Sequence, residues 1–234
     1  MSRYSDYVMA LSPKLYWRLG DAAGFAQDAS GNAHHATVAA NIHYGETSSL
    51  VGDADTCMYF GGDSQQSVAD HADYDPDYNV DFSIIFRCKF TAATDSMVLV
   101  SKWVAAAYPF QIITADTGKI AFYRYDATHN PVAKTAAVVN DGAWHQITCR
   151  KSGTKMQILD GATLGPEVTD TTDTTTTNAA YFNVGLLAGG SDYFTGYLDE
   201  IAYIPSAISW AQAQTLYQIG AGRQGGYYKN LYGI

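Results

Sequence analysis

DFSIIFRCKF, residues 81–90, decides the fold class. Phe82, Ile84, Phe86, Cys88 and Phe90 fall on one side of an extended chain. Ser83, Arg87 and Lys89 fall on the other, with Ile85 the exception. Side chains on a strand alternate between its faces, so this period of two predicts a half-buried antiparallel strand. The pattern repeats outward. In KLYWRL (14–19), Leu15, Trp17 and Leu19 alternate with Lys14, Tyr16 and Arg18. His145, Ile147 and Cys149 alternate with Trp144, Gln146 and Thr148. Short Tyr-, Val-, Ile-, Phe- and Thr-rich segments at 56–61, 66–70, 96–104, 109–114, 118–126, 131–139, 154–160, 180–187 and 194–204 read the same way, with Gly, Asp, Asn and Ser between them. About a dozen strands without a long helical pattern predict an all-β domain of two packed antiparallel sheets.

Two short helices are expected beside the sheets. Ser5 is read as the cap of one over Asp6–Leu11, ahead of Pro13. Ser209 with Gln212 forms a capping box for another, whose apolar stripe of Trp210, Ala213, Leu216 and Tyr217 is expected to plug the sandwich edge, with Gly220 ending it. The Thr-rich TDTTDTTTTN (169–178) is expected to be an exposed strand or a long loop. The organisation expected is a helical segment at 1–11, one sandwich at 12–219 and a Gly/Tyr-rich arm at 220–234. The arm's Tyr227, Tyr228, Leu231 and Tyr232 are expected to dock on another subunit or protein.

Composition narrows the function. Charged residues are only 16% of the 234 and the net charge is −9, which disfavours nucleic acid or an anionic membrane as partner. No apolar run reaches the length of a membrane span, and residues 1–19 do not read as a signal peptide. Cys57, Cys88 and Cys149 are odd in number and far apart, so they read as buried small side chains in a chain made in a reducing cytoplasm. The three Glu residues, Glu46, Glu167 and Glu200, stand far from one another. Sugar hydrolysis usually needs a spaced pair of carboxyl groups, so the Glu spacing argues against a glucanase with paired Glu on one strand, while a pair among the 20 Asp stays open. The motifs G-x-S-x-G, H-E-x-x-H and the Walker loop are missing. The six His are dispersed; His34 and His35, being adjacent, point oppositely on a strand and cannot share an ion. DASGN (28–32) has the makings of an Asx turn and also of a calcium loop, since a carboxylate and inward carbonyls suit a cation that takes six to eight oxygens. LDE (198–200) adds an acidic pair. DHADYDPDYNVD (70–81), with five Asp, reads as a solvated loop or as a second cation site.

Five pieces, in order, resemble laminin-G-like, concanavalin A-like jelly rolls: SPKLYWRLGDAAGFAQDASGNAHHAT (12–37), CMYFGGDSQQSVAD (57–70), DFSIIFRCKF (81–90), DGAWHQITCRKSGTKMQILDG (141–161) and FTGYLDEIAYIPSAISWAQAQTLY (194–217). The resemblance implies a two-sheet jelly-roll sandwich. It also implies a structural Ca²⁺ held by Asp28 and Asn32, closed by Asp199 or Glu200, with Asp21 a further candidate. The opening SDYVMALSPKLYWRLGD is similar to that of laminin-G-like virion proteins of tailed phages. That likeness implies a non-enzymatic lectin-like protein on a virion surface (tail, fibre or head decoration), made in the host cytoplasm. Its expected partners are other virion proteins, copies of itself, and host polysaccharide. Trp103, Tyr108, Tyr123, Tyr125 and His129 are the expected glycan-lining residues, by analogy with one wall of such folds. The alternatives are a carbohydrate-binding module of a bacterial protein and a polysaccharide-degrading enzyme.

Overall fold

The computed structural model describes residues 2–187, 190 and 192–223. Its strands are β1 (Leu15–Trp17), β2 (Val38–Thr47), β3 (Thr56–Val68), β4 (Phe82–Lys89), β5 (Val98–Lys102), β6 (Tyr108–Ala115), β7 (Lys119–Tyr125), β8 (Val132–Lys134), β9 (His145–Ser152), β10 (Lys155–Asp160), β11 (Thr163–Leu164), β12 (Val168–Thr169), β13 (Phe182–Val184) and β14 (Thr195–Ile204). They pair in the order β11-β10-β9-β4-β14-β3-β13-β5-β6-β7-β8, with β1 on β14, β12 on β10 and β2 on β3. One strand joins the two layers. Residues Met58–Gly61 of β3 pair with β14, while Gln66–Val68 pair with β13. The change of layer passes Gly62, whose φ of 88° favours a residue without Cβ. The expected jelly-roll sandwich is the observed architecture.

The core lies between the layers. Trp17, Phe60, Phe86, Phe122 and Phe182 are fully buried there, and Phe82 packs its ring against Phe110, Phe122 and Tyr203 at 5.8–6.0 Å. Cys57, Cys88 and Cys149 are free and buried, as their spacing implied. The first and last strand segments pair directly, Leu15 to Tyr203 and Trp17 to Ile201.

The outer face of β4 departs from the expected solvated side. Ser83, Ile85 and Arg87 are all buried. The helices α1 (Arg3–Ala10) and α2 (Trp210–Gly220) cover this face, forming a second apolar cluster of Tyr4, Val8, Ile85, Leu159, Ala202, Ile204, Ala213 and Leu216. Ile85, the exception to the alternation, is the residue that meets them. Helix α2 therefore lies on a sheet face, not the sandwich edge, because the apolar patch it must bury is there. Its capping box is present as expected, and the helix includes Gly220. Helix α1 is capped by Ser2, not Ser5: the Ser2 side chain accepts the Ser5 N–H, and Ser5 is itself buried in the first turn.

Strand β2 escaped the sequence reading. Its pairing with β3 is broken by two irregularities, one at Asn41, whose φ is 49°, and burial alternates only from Asn41 onward. Beyond Val168–Thr169, the Thr-rich segment is a loop, and a fixed one. Arg124, wholly buried, donates to Asp170, Thr172 and Thr176 and to the backbone oxygens of Asp77, Tyr78 and Pro109. Asp77 accepts the Thr176 N–H at 3.0 Å. Tyr227, Tyr228, Leu231 and Tyr232 lie outside the described residues.

Candidate functional site

The outer face of β4, β14 and β9 divides into three zones, set by register and alternation. Ile85 faces Ala202 and Thr148 at the helix-covered end. Two residues on, Arg87 faces Asp199 and Gln146. Two further, Lys89 faces Tyr197.

The middle zone is a buried polar network. The Asp199 Oδ2 accepts the Ser49 N–H at 3.0 Å, and Gln146 Oε1 accepts from the Tyr4 hydroxyl at 2.6 Å and Arg87 Nη1 at 3.4 Å. Glu200 sits in a bulge with φ 55°. Its carboxylate accepts from the Tyr16 hydroxyl and, at 3.1–3.2 Å, from Arg18. Burial pushes Glu200 up to about 7 despite the adjacent guanidinium, and burial together with Glu200 raises Asp199 well above the ordinary carboxylate range.

Of the expected calcium ligands, Asp21 and Asp28 line one small cavity with Arg18 and Asp55, but Asp28 and Asp199 do not face each other. Asp28 spends both oxygens on its own loop: Oδ1 accepts from Tyr16 N and Ser30 N, and Oδ2 from His34 N and the Ser30 hydroxyl, all at 2.7–3.0 Å. Asn32 donates to the carbonyls of Pro13 and Lys14 and to the Ser30 hydroxyl. Asp21 accepts the Gln27 N–H at 3.1 Å. Asp28 bridges Trp17 on one edge of β1, while β14 pairs along the other. The interposed strand keeps Asp28 from facing Asp199. Glu200 is turned to Arg18, a cation that a metal would have to displace. A calcium shell of six to eight oxygens does not fit this arrangement. The DASGN loop is an Asx turn that fastens β1.

The third zone holds a row of rings that sequence reading missed. His43 of β2 faces Tyr59 of β3, Tyr59 faces Tyr197 of β14, and Tyr197 faces Lys89 of β4. Trp144 extends the row just before β9. Ring centroids are 5.4 Å apart for His43–Tyr59, 4.9 Å for Tyr59–Tyr197 and 6.1 Å for Tyr197–Trp144. The Lys89 ammonium stands 4.2 Å from the Tyr197 ring and 5.5 Å from Trp144. A cavity of about 210 Å³ opens beside it, lined by Tyr59, Lys89, Thr91, Thr195 and Tyr197 among others. Partial exposure of these rings leaves them able to accept a ligand.

The expected glycan-lining residues form a second aromatic group, on β6 and β7 in the other layer. Tyr108 faces Tyr125 with centroids 5.5 Å apart, and Trp103 is 6.3 Å from Tyr108. Tyr108 is nearly buried, and burial raises its hydroxyl to about 12. Tyr123 faces Gln111 one pair along. His129 is drawn away to Asp126 and Asp173, at 3.3 and 3.5 Å.

His145 has both ring nitrogens on carboxylates, Nδ1 with Asp160 at 2.9 Å and Nε2 with Asp141 at 3.1 Å. Against the opposing effect of burial, these two raise its pKa. It serves to tie β9 to β10.

Among solved structures, the chain is similar to the binding domain of Paraclostridial Mosquitocidal Protein 1, with a TM-score of 0.73 and 13% identity over 90% of this chain and 52% of that one. It is also similar to the receptor binding domain of botulinum neurotoxin C/D mosaic serotype (TM-score 0.68, 10% identity, 88% of this chain and 51% of that one). A third is the botulinum neurotoxin serotype D ligand binding domain in complex with N-acetylneuraminic acid (0.68, 12%, 90% and 52%). The chain spans about half the length of these structures, and at such identity the likeness is one of fold. No curated protein matches the chain. Residues 60–214 match the concanavalin A-like lectin/glucanases superfamily model Laminin_G_3, well over half of the chain, and the protein belongs to that family.

Proposed function

We propose that this domain is a non-enzymatic lectin that binds glycans along the row His43–Tyr59–Tyr197–Lys89–Trp144. The observation that carries the reading is the in-register alignment of these rings across adjacent strands, beside a largely apolar cavity into which Lys89, Thr91 and Thr195 bring polar groups. Sugar rings present apolar C–H faces and hydroxyl edges, so a platform of partly exposed aromatics with nearby polar groups suits both. Lys89 adds a positive charge at the platform in a chain of net charge −9. That favours carboxylated sugars. The buried, ion-paired or backbone-bound state of the carboxylates described above supports a role without catalysis.

The setting we propose is the surface of a phage virion, supported by the likeness of SDYVMALSPKLYWRLGD to the openings of such proteins. In that setting the segment 220–234 attaches the domain to a neighbouring virion protein or to another copy.

Glycan-array binding, with and without calcium, tests the first part. Wild type is expected to bind acidic glycans. Tyr197→Ala or Trp144→Ala is expected to weaken binding at least tenfold, while Trp103→Ala and Tyr125→Ala leave it unchanged. The reverse pattern would move the site to the β6–β7 face, and release of reducing ends from a bound polysaccharide would replace the lectin reading with an enzymatic one. Copurification with particles, and its loss on deleting residues 224–234, tests the setting.

A further inference from the structure

The loop that fastens β1 and the loop after β3 meet at a cluster that neither the fold nor the lectin reading uses. His34 Nε2 lies 2.9 Å from Asp73 Oδ2, and His71 Nδ1 lies 3.4 Å from the same oxygen. The three ligand atoms are all within 4.8 Å of one another. We propose that His34, His71 and Asp73 form a binding site for a divalent transition-metal ion, with zinc as the best-suited occupant and one coordination position open to solvent.

Four observations support this. The donor set is right: two imidazoles and one carboxylate are a common zinc set, and three protein ligands with a free fourth position mark a site open to exchange. Its dimensions are right as well. Zinc-to-ligand bonds near 2.0–2.2 Å put the ligand atoms of a tetrahedron about 3.3 Å apart, and the separations of 2.9 and 3.4 Å bracket that value.

The ligands are also oriented beforehand. The His34 N–H donates to Asp28 Oδ2 at 2.9 Å, and its carbonyl accepts from Trp17 Nε1 at 2.9 Å. Its ring lies edge-on to Tyr74, with centroids 5.1 Å apart. His71 caps the short 3₁₀ turn Ala72–Tyr74, and its Nδ1 accepts the Asp73 N–H at 3.1 Å. That nitrogen therefore already carries the lone pair a metal needs. Binding would exchange this one amide contact, and the His34–Asp73 hydrogen bond, for bonds to the metal.

Finally, the carboxylate is uncommitted to backbone. Asp73 Oδ1 meets only the Lys14 ammonium, at 3.3 Å, and Oδ2 meets the two imidazoles. The second His–Asp group, Asp126, His129 and Asp173, makes the contrast. There Asp126 accepts the backbone N–H groups of Thr128, His129, Asp173 and Thr174, so its oxygens are already used in closing the loop. The Lys14 ammonium opposes a cation here, and its side chain is exposed enough to swing away.

The experiment uses the full chain without a His tag. Zinc is titrated calorimetrically, and cobalt(II) reports geometry through its visible absorption. Expected are one ion per chain, an intense tetrahedral-type cobalt spectrum, and a zinc-dependent rise in melting temperature. His71→Ala, at a largely exposed position, is expected to lower affinity at least tenfold and to abolish the cobalt spectrum while the apo protein melts as wild type. Asp73→Asn repeats the loss. Lys14→Ala, which removes the competing cation, is expected to tighten binding. His129→Ala is expected to change nothing. Sub-stoichiometric binding, a His71→Ala protein that binds as well as wild type, or loss of binding on His129→Ala would each overturn the assignment.

Discussion

Replacing Glu200 by Gln should change how stability depends on pH, and the size of the change follows from where the carboxyl sits. Glu200 is 1% exposed, at a bulge, between the Tyr16 hydroxyl and Arg18. Burial raises it from the ordinary 4.5 to about 7. Between those values the folded protein holds a proton that the unfolded chain has released. Stability therefore falls as pH rises through this window: the contribution is full below the unfolded pKa and gone above the folded one. At about 1.4 kcal/mol per unit, the loss is about 3 kcal/mol across the window. Asp199 is shifted in the same direction by burial. His145, raised by Asp160 and Asp141, also loses stability as pH climbs above its ordinary value. His145 cancels in the difference, whereas Asp199 loses the part of its upward shift that comes from Glu200, which flattens the Glu200→Gln curve further. Urea unfolding of the two proteins at intervals from pH 4.5 to 8 measures it. The wild-type curve should fall across the range, and that of Glu200→Gln should be flatter by about 3 kcal/mol. Parallel curves, or a wild type that gains stability toward pH 8, would show that this network does not hold a proton and that its electrostatics are misread.

Further predictions concern the scaffold that positions the ring row. Arg124→Ala leaves Asp170 charged and buried and releases the Thr-rich loop; it should cost about 3–5 kcal/mol by chemical denaturation. Limited proteolysis should then cut within residues 170–178, and an uncut loop would contradict the role given to Arg124. Gly185 has φ 82°, and a Cβ there would stand 2.4 Å from the Phe60 ring, so Gly185→Ala should destabilise by at least about 2 kcal/mol. Phe82→Ala removes the ring shared by Phe110, Phe122 and Tyr203 and should cost about 3–5 kcal/mol, with melting temperature as the readout.

Much of the framework was legible without coordinates. The alternation in DFSIIFRCKF placed Phe82, Ile84, Phe86 and Cys88 inward, and there they are. The Ser209–Gln212 capping box was readable because a cap is a local device, complete within four residues. Ser2 was missed as the cap of α1 because Ser2 and Ser5 are chemically equal candidates, and only the start of the helix distinguishes them. The DASGN turn was readable as a turn; that Asp28 does not face Asp199 was not, because only the tertiary structure places β1 between them.

The candidate site divides along the same line. Tyr59, Lys89, Trp144 and Tyr197 each belong to a segment whose strand character the chain itself announces, and alternation assigns each to an outward face. Their assembly into one row depends on which strands are neighbours and in what register, as Lys89 meets Tyr197 only because β4 and β14 lie side by side with that pairing. The same holds for His34 and Asp73, carried by different loops. Local sequence determines periodicity, turns and caps, because those energies act between near neighbours along the chain. Convergence of distant side chains is settled by packing two sheets around a common core, a balance summed over the whole molecule.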